Sequence, residues 1–180
     1  MRGYLLVLSL LFAGCQSLKP EDISLPDYPD LAEVYIDQYQ SLGSRTLEKK
    51  VTLDSEQETN AFQMDSAAWK EELEFLIEIS PKKPEYVGVY KTIEDNEGGV
   101  ELQLIEGEKS TLKQLSVGYY EGAYNSIAAT IHEDKDVYVH HREINISFRE
   151  GLISSWSIEG YQKMMFKDTV RFGIVGQILD

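Results

Sequence analysis

Glu143-Ile144-Asn145-Ile146-Ser147-Phe148-Arg149-Glu150-Gly151, residues 143–151, is the stretch that decides the fold class. Apolar and polar residues alternate up to Phe148, which is the period of a β-strand with one buried face. Glu150-Gly151 is a tight-turn signal, and Trp156 and Ile158 then resume the alternation. We therefore predict an antiparallel hairpin centred on this turn.

The same period of two extends along the chain on both sides of the hairpin. Its connecting segments are too short for parallel crossovers, so consecutive strands should be antiparallel neighbours. We predict a twisted antiparallel meander of about seven strands with one apolar face. The strands are expected near residues 86–90, 100–104, 115–119, 127–131, 137–148, 156–158 and 170–174.

Helical periodicity precedes the strands. Leu31, Val34 and Tyr35 begin an apolar stripe that predicts a helix over residues 30–48. Asp65-Ser66 can cap a second helix that ends before Pro81. Residues 50–64 fit either a short hairpin, which we prefer, or an irregular connection. Helices followed by strands indicate an α+β domain with the N-terminal helices packed on one face of the sheet.

Composition limits the function classes. The chain has 180 residues, 17 basic and 31 acidic, for a net charge of −14. This charge argues against a nucleic-acid partner, because basic residues supply most of the affinity for phosphates. The single cysteine excludes a disulfide within the chain. No apolar run reaches the roughly 18 residues that a transmembrane helix needs.

The N-terminus has the three parts of a secretory signal: Arg2, an apolar run over residues 5–13, and small residues before Cys15. The stretch Leu11-Phe12-Ala13-Gly14-Cys15 resembles the lipobox of bacterial lipoproteins. The resemblance covers about the first 15 residues. It implies cleavage between Gly14 and Cys15 and acylation of Cys15, including a palmitate-type chain.

The resemblance also implies a location. Gln16 follows the cysteine, which by the usual sorting pattern implies the outer membrane, facing the periplasm or the exterior. We expect residues 1–14 to be a cleaved signal peptide, residues 15–29 to be the lipidated cysteine and a proline-rich tether, and residues 30–180 to be one α+β domain. The membrane is then a partner through the lipid.

Motifs for catalysis, metals or cofactors do not stand out. Ser110-Thr111-Leu112-Lys113 matches Ser-x-x-Lys of the penicillin-recognising enzymes, but Ser-Asp-Asn and Lys-Thr-Gly do not accompany it. A two-residue turn at Asp134-Lys135 would place His132 opposite Val137, so that no two histidines meet. His140 and His141, as strand neighbours, should point to opposite faces. We predict no catalytic residues, no metal site and no cofactor.

Aromatic residues remain as the candidate ligand surface: Tyr119, Tyr138, Trp156 and Tyr161. The favoured interpretation is a lipid-anchored envelope protein with a non-enzymatic binding or structural role, and an envelope protein or apolar ligand as partner. One alternative is an acyl-chain binder similar in outline to the outer-membrane lipoprotein carriers. A second alternative is an envelope hydrolase.

The last two strands carry a prediction about the core. Trp156 and Ile158 should share the buried face with Val170, Phe172 and Ile174. Their neighbours Glu159 and Arg171 should point the other way, because an unpaired charge in the core is costly. A turn near Lys167-Asp168 would set Phe172 close to Lys163.

Overall fold

A computed structural model describes residues 28–94 and 98–179 of the chain. The expected signal peptide, Cys15 and the tether up to residue 27 lie outside the described residues. The described part is mostly antiparallel sheet, with nine strands and three short helices. The elements are α1 (Leu31–Ser41), β1 (Thr46–Leu53), β2 (Glu56–Gln63), α2 (Ser66–Glu72), α3 (Phe75–Glu78), β3 (Tyr90–Glu94), β4 (Val100–Leu104), β5 (Leu112–Tyr120), β6 (Ala123–Lys135), β7 (Tyr138–Arg149), β8 (Leu152–Met164) and β9 (Val170–Leu179).

All nine strands form one sheet in the order β2-β1-β9-β8-β7-β6-β5-β4-β3. Strands β3 to β9 are a continuous meander, as the alternation predicts. The count rises from about seven to nine because the ambiguous region 50–64 belongs to a hairpin, β1–β2, whose first strand pairs with β9. The first hairpin in the chain therefore extends the sheet beyond its last strand.

Two turns show where the predicted strand register is correct and where it is wrong. Glu150 and Gly151 have φ values of 53° and 78°, and this pair of left-handed residues makes the expected tight turn. The predicted turn at Asp134-Lys135 is wrong, because β6 continues through Lys135 and pairs it with Tyr138. The turn lies at residues 136 and 137 instead. His132 consequently pairs with His141, so two histidines do meet across this hairpin.

The helices are shorter than the periodicity predicts. The first ends at Ser41, with Gly43 at a φ of 61°, and residues 46–48 already belong to β1. The second divides into α2 and α3 around Leu73. The strand expected at residues 86–90 is replaced by a 3-10 turn at Pro84–Tyr86, and β3 starts at Tyr90. Gly88, with a φ of 73°, interrupts the extended backbone there.

One face of the sheet, here called the inner face, carries the core and the helices. Trp156 of β8 packs against Trp69 of α2 and Phe75 of α3, with ring centroids 6.5 Å and 6.1 Å apart. The amide of Gln38 joins α1 to the β7–β8 hairpin, since its Nε2 donates to the carbonyl of Gly151 and its Oε1 accepts from the N–H of Ile153. Both polar ends of this buried side chain are thereby satisfied.

The final two strands have the predicted faces and a different register. Ile158 pairs with Ile174 on the inner face, and Glu159 with Gly173 on the outer one. Phe172 lies opposite Gly160 rather than near Lys163, which corrects the register. Val170 shares the inner face but is 41% exposed, so it is not part of the core. Among the described residues, no helix is long and apolar enough to cross a membrane.

Candidate functional site

The four aromatic residues proposed as a ligand surface lie in different parts of the fold. Tyr119 packs on Tyr124 at the turn end of β5 and β6, with centroids 5.0 Å apart. Trp156 is 2% exposed under the helices. Tyr138 lies on the inner face at the opposite end of β7, and Tyr161 lies on the outer face of β8. The structure brings no two of these four residues together.

Trp156 serves the core instead. Its indole ring lies over Gly176, its cross-strand partner, where a Cβ atom would overlap the ring. The indole Nε1 is buried, and it has no hydrogen-bond partner among the described residues. A buried N–H without an acceptor costs stability, so the flat contact with Gly176 and the two helices must outweigh that cost.

The outer face carries a row of side chains that the sequence reading missed. His132, His141, Tyr161 and Arg171 are successive cross-strand partners from β6 to β9. The rings of His141 and Tyr161 stack with centroids 5.3 Å apart, and the Arg171 guanidinium lies 5.8 Å from the Tyr161 ring. Cross-strand contacts of this kind stabilise a sheet. The correct turn position at residues 136 and 137 would have revealed the first step of the row.

An open cleft of about 460 Å³ adjoins this row on the outer face. Glu143 and Glu159 line it as direct cross-strand partners, and Gly173 leaves its floor without a side chain. Glu143 also lies 3.3 Å from Nε2 of His141. Asp54 at the rim accepts a hydrogen bond from the Arg171 N–H at 2.8 Å, which holds the β1–β2 turn against β9.

A second feature is an apolar area of the inner face that the helices leave uncovered. We call it the open shelf and define it by Val51, Leu53, Met164 and Val170, which are between 40% and 52% exposed. These residues continue the inner-face alternation of β1, β8 and β9 beyond the helices. The half-buried ring of Phe172, which pairs with Leu53 and Gly160, forms the border between the open shelf and the core.

Two ion pairs mark where the helix cover stops. Lys49 Nζ of β1 lies 2.8 Å from the Glu72 carboxylate of α2, and Arg142 of β7 lies 2.8 Å from Glu78 of α3. Both basic residues are on the inner face, one step from the apolar core. Beyond Lys49 the inner face of β1 consists of the shelf residues Val51 and Leu53.

The uncovered end of the inner face also holds polar groups with shifted pKa values. Burial lowers the pKa of His140, whose ring lies 6.1 Å from that of Phe172. A hydrogen bond to the Glu133 carboxylate raises the pKa of Tyr138, and the same bond lowers the pKa of Glu133. The neutral forms of His140 and Tyr138 are therefore favoured beside the open shelf.

The shelf ends at two adjacent hairpin tips, formed by the β6–β7 and β8–β9 turns. A groove of about 810 Å³ lies between residues 134–139 and 163–168. Val137 on one tip is 60% exposed, and Phe166 on the other is 98% exposed. Apolar side chains thus continue from the open shelf to Phe166 in the β8–β9 turn.

Within residues 28–94 and 98–179, no three His, Cys, Asp or Glu side chains form a group that could hold a metal ion. The comparisons with known proteins add no identity: no family model, no curated protein and no solved structure matches this chain. The geometry of the open shelf, the outer cleft and the hairpin tips is therefore the basis for a functional proposal.

Proposed function

We propose that this chain is a lipid-anchored protein of the bacterial cell envelope whose domain binds an apolar ligand, such as an acyl chain, without catalysing a reaction. The observation that carries the proposal is the open shelf, where four apolar side chains of the inner face are left uncovered beside a closed core. The lipobox-like stretch at residues 11–15 supports the location and the anchor on Cys15.

The physical argument rests on the cost of exposed apolar surface. Each Å² of apolar surface removed from water contributes about 25 cal/mol, so neighbouring exposed side chains offer binding energy to an apolar partner. Val51 and Leu53 adjoin Val170 through Phe172, the cross-strand partner of Leu53, and Met164 lies one step further along the face, beyond Gln162. A bound acyl chain would lie on the open shelf and contact Phe172 at the border of the core, so a closed cavity is not needed.

Photo-crosslinking of a fatty-acid probe to the membrane-bound protein tests ligand binding. Membranes containing the full chain are illuminated with a diazirine-bearing palmitate, and adducts are mapped by mass spectrometry. We expect adducts in peptides around Leu53 and Val170, and a several-fold loss of adduct in Leu53→Arg. Val175→Arg is the matched control, because Val175 is 39% exposed on the outer face. Equal labelling of both variants would contradict the proposed ligand surface.

The anchor has a separate test. Cys15→Ser should leave the precursor uncut and without lipid, because the thiol is the acceptor of the lipid in the lipoprotein pathway. Metabolic labelling with a tagged fatty acid, followed by mass spectrometry of the N-terminal peptide, measures this directly. Normal cleavage with the fatty-acid label retained in Cys15→Ser would show that the anchor is wrong while leaving the open shelf untouched.

One observation favours a second candidate function, hydrolysis in the envelope. Glu143 and Glu159 face each other on the outer cleft, and like charges directly opposite destabilise a sheet. Glycoside hydrolases use a pair of carboxyl groups. One protonates the leaving group, and the other either attacks the sugar or activates a water molecule. Release of sugar fragments from cell-wall glycan by the full chain, abolished in Glu159→Gln but kept in Ser157→Ala, would support this function. Equal release by both variants, or none by the full chain, would reject it.

A further inference from the structure

The β8–β9 tip exposes an unusual run of apolar residues. Its sequence is Lys163-Met164-Met165-Phe166-Lys167, and the three central side chains are 45%, 50% and 98% exposed. Consecutive exposed apolar residues reduce solubility unless a partner covers them. Two methionines and a phenylalanine between two lysines therefore indicate that this turn meets a non-aqueous environment.

The backbone of the turn holds Phe166 outward. The Lys167 N–H donates to the Met164 carbonyl at 3.1 Å, which closes a four-residue turn. Phe166 occupies its third position with a φ of 63°, a conformation that favours glycine. A bulky side chain in this conformation costs free energy, and such costs are found where a side chain is needed for function.

The neighbouring tip reinforces the projection. The Met165 N–H donates to the Val137 carbonyl at 2.9 Å, so the β8–β9 turn is tied to the β6–β7 turn. Val137 is itself 60% exposed. The two tips thus present Val137, Met165 and Phe166 as one apolar prominence, which we call the double tip.

We propose that the double tip inserts into the surface of a phospholipid bilayer, as a membrane contact separate from any N-terminal anchor. A projecting apolar turn can enter the interface between headgroups and acyl chains. Lys163 and Lys167 on either side can extend their ammonium groups toward the phosphates while their stems remain in apolar surroundings.

The charges around the double tip define the type of membrane. The basic residues Lys135, Lys163 and Lys167 are accompanied by Asp134, Asp136 and Asp168. Glu133 adds a further carboxylate, 3.6 Å from Lys135. Because positive charge is not in excess, the contact should not depend on anionic lipid and should form on phosphatidylcholine. This separates the double tip from polybasic segments, which need an anionic surface.

The anchor and the double tip can reach one bilayer together. Tyr28, the first described residue, donates its hydroxyl hydrogen to the Tyr90 carbonyl of β3. Five strand spacings separate β3 from β8 in the sheet order, which corresponds to roughly 24 Å. A chain from Cys15 to Tyr28 spans up to about 45 Å when extended. The proposal does not rest on ligand binding by the open shelf.

Site-specific fluorescence tests the insertion. The full chain carrying Phe166→Cys is labelled with an environment-sensitive fluorophore and reconstituted into phosphatidylcholine vesicles, with and without doxyl-labelled lipid. We expect a blue-shifted emission at position 166 and quenching by the doxyl group. Tyr120→Cys is the matched control, because Tyr120 is a 69% exposed aromatic residue at the other end of the sheet. Emission there should stay unshifted and unquenched.

The labelling also separates this proposal from the proposed function. An acylated Cys15 has no free thiol, so the Phe166→Cys chain takes up one fluorophore if the anchor is present and two if it is absent. If two are found, the measurement is repeated in the Cys15→Ser background. Leu53→Arg should leave the quenching at position 166 unchanged. No quenching at position 166 would overturn the insertion. A blue shift that depends on protein density, without doxyl quenching, would assign the double tip to a second copy of the chain and also overturn it.

Discussion

Two ends of the same inner face differ in what covers them. On β1, Leu47 is 1% exposed and Leu53 is 52% exposed, although both point to the inner face of one strand. Helices α2 and α3 account for the difference, because their acidic residues pair with Lys49 and Arg142 at the border and the cover stops there. Alternation along a strand indicates which residues share a face. Burial depends on how far another element extends over that face.

The two ends also contribute differently to the stability of the fold. The covered end combines Leu47, Trp69 and Trp156 into one closed cluster. The uncovered end has the open shelf and the double tip, where apolar side chains face water and contribute little to the fold. Contiguous exposed apolar side chains beside a complete core are typical of sites that contact another molecule.

The sharpest test of this comparison is the matched pair Leu47→Ala and Leu53→Ala. Removing the buried side chain should lower the free energy of unfolding by about 2–5 kcal/mol, as in other core truncations. The exposed one should cost under about 0.5 kcal/mol. Denaturant melts of the two variants measure both values. Similar losses would mean that the helices cover the whole inner face.

A second pair tests the contact between the sheet and the helices. Gly176→Ala places a methyl group into the Trp156 ring and should cost about 1–3 kcal/mol through overpacking. Gly173→Ala, three residues earlier on the same strand, meets only Thr52 and Glu159 at 3.8 Å and 4.0 Å. It should leave stability unchanged or raise it slightly, because alanine restricts the unfolded chain. Thermal melts that rank the two variants in the opposite order would contradict this packing.

The comparison shows what the sequence could predict. Period-two alternation identified the meander and the faces of Trp156, Ile158, Glu159 and Arg171, since side-chain direction follows from the strand itself. It could not identify the turn at residues 136 and 137, because Glu133-Asp134-Lys135-Asp136 is polar throughout and both registers keep the same residues inside. The pairing of His132 with His141 depended on that choice.

Other differences have a tertiary origin. The first predicted helix was too long because Thr46–Glu48 gain a ladder on β9, which is more than 120 residues away in sequence. The four aromatic candidates are dispersed for a related reason: sequence order does not reveal that Trp156 lies under α2 whereas Tyr161 lies on the other face. The open shelf was also not predictable, because it depends on where short helices end.

The titration of His140 tests the uncovered end in a different way. Burial lowers its pKa in the folded state, so the unfolded chain binds a proton more readily, and the free energy of unfolding should fall as the pH drops through about 6.5. Arg142 and His141 add to the lowering, and Glu133 and Glu78 oppose it. His140→Gln should reduce this pH dependence. The hydrogen bond from Lys82 lowers the pKa of Asp30, but this carboxyl affects stability only below about pH 4. It therefore does not overlap with the pH range in which His140 titrates.

Denaturant melts between about pH 8 and about pH 5 measure this dependence, with the unchanged chain as the reference. An equal change of unfolding free energy with pH in the wild-type chain and in His140→Gln would mean that His140 is as accessible to protons in the folded state as in the unfolded chain. The end of the sheet beside Phe172 would then be more open than the structure shows.

The smallest expected effect on stability belongs to Phe166→Gly. The side chain is 98% exposed, so its removal gives up almost no packing, and glycine relieves the left-handed conformation at a φ of 63°. The greater freedom of glycine in the unfolded chain offsets part of that gain. We therefore expect the free energy of unfolding to stay constant or to rise by less than about 1 kcal/mol. Chemical denaturation measures this, with Glu121→Gly, another non-glycine turn residue with positive φ, as the control. A loss above about 1 kcal/mol would show that Phe166 packs on the protein and is not held out for a partner.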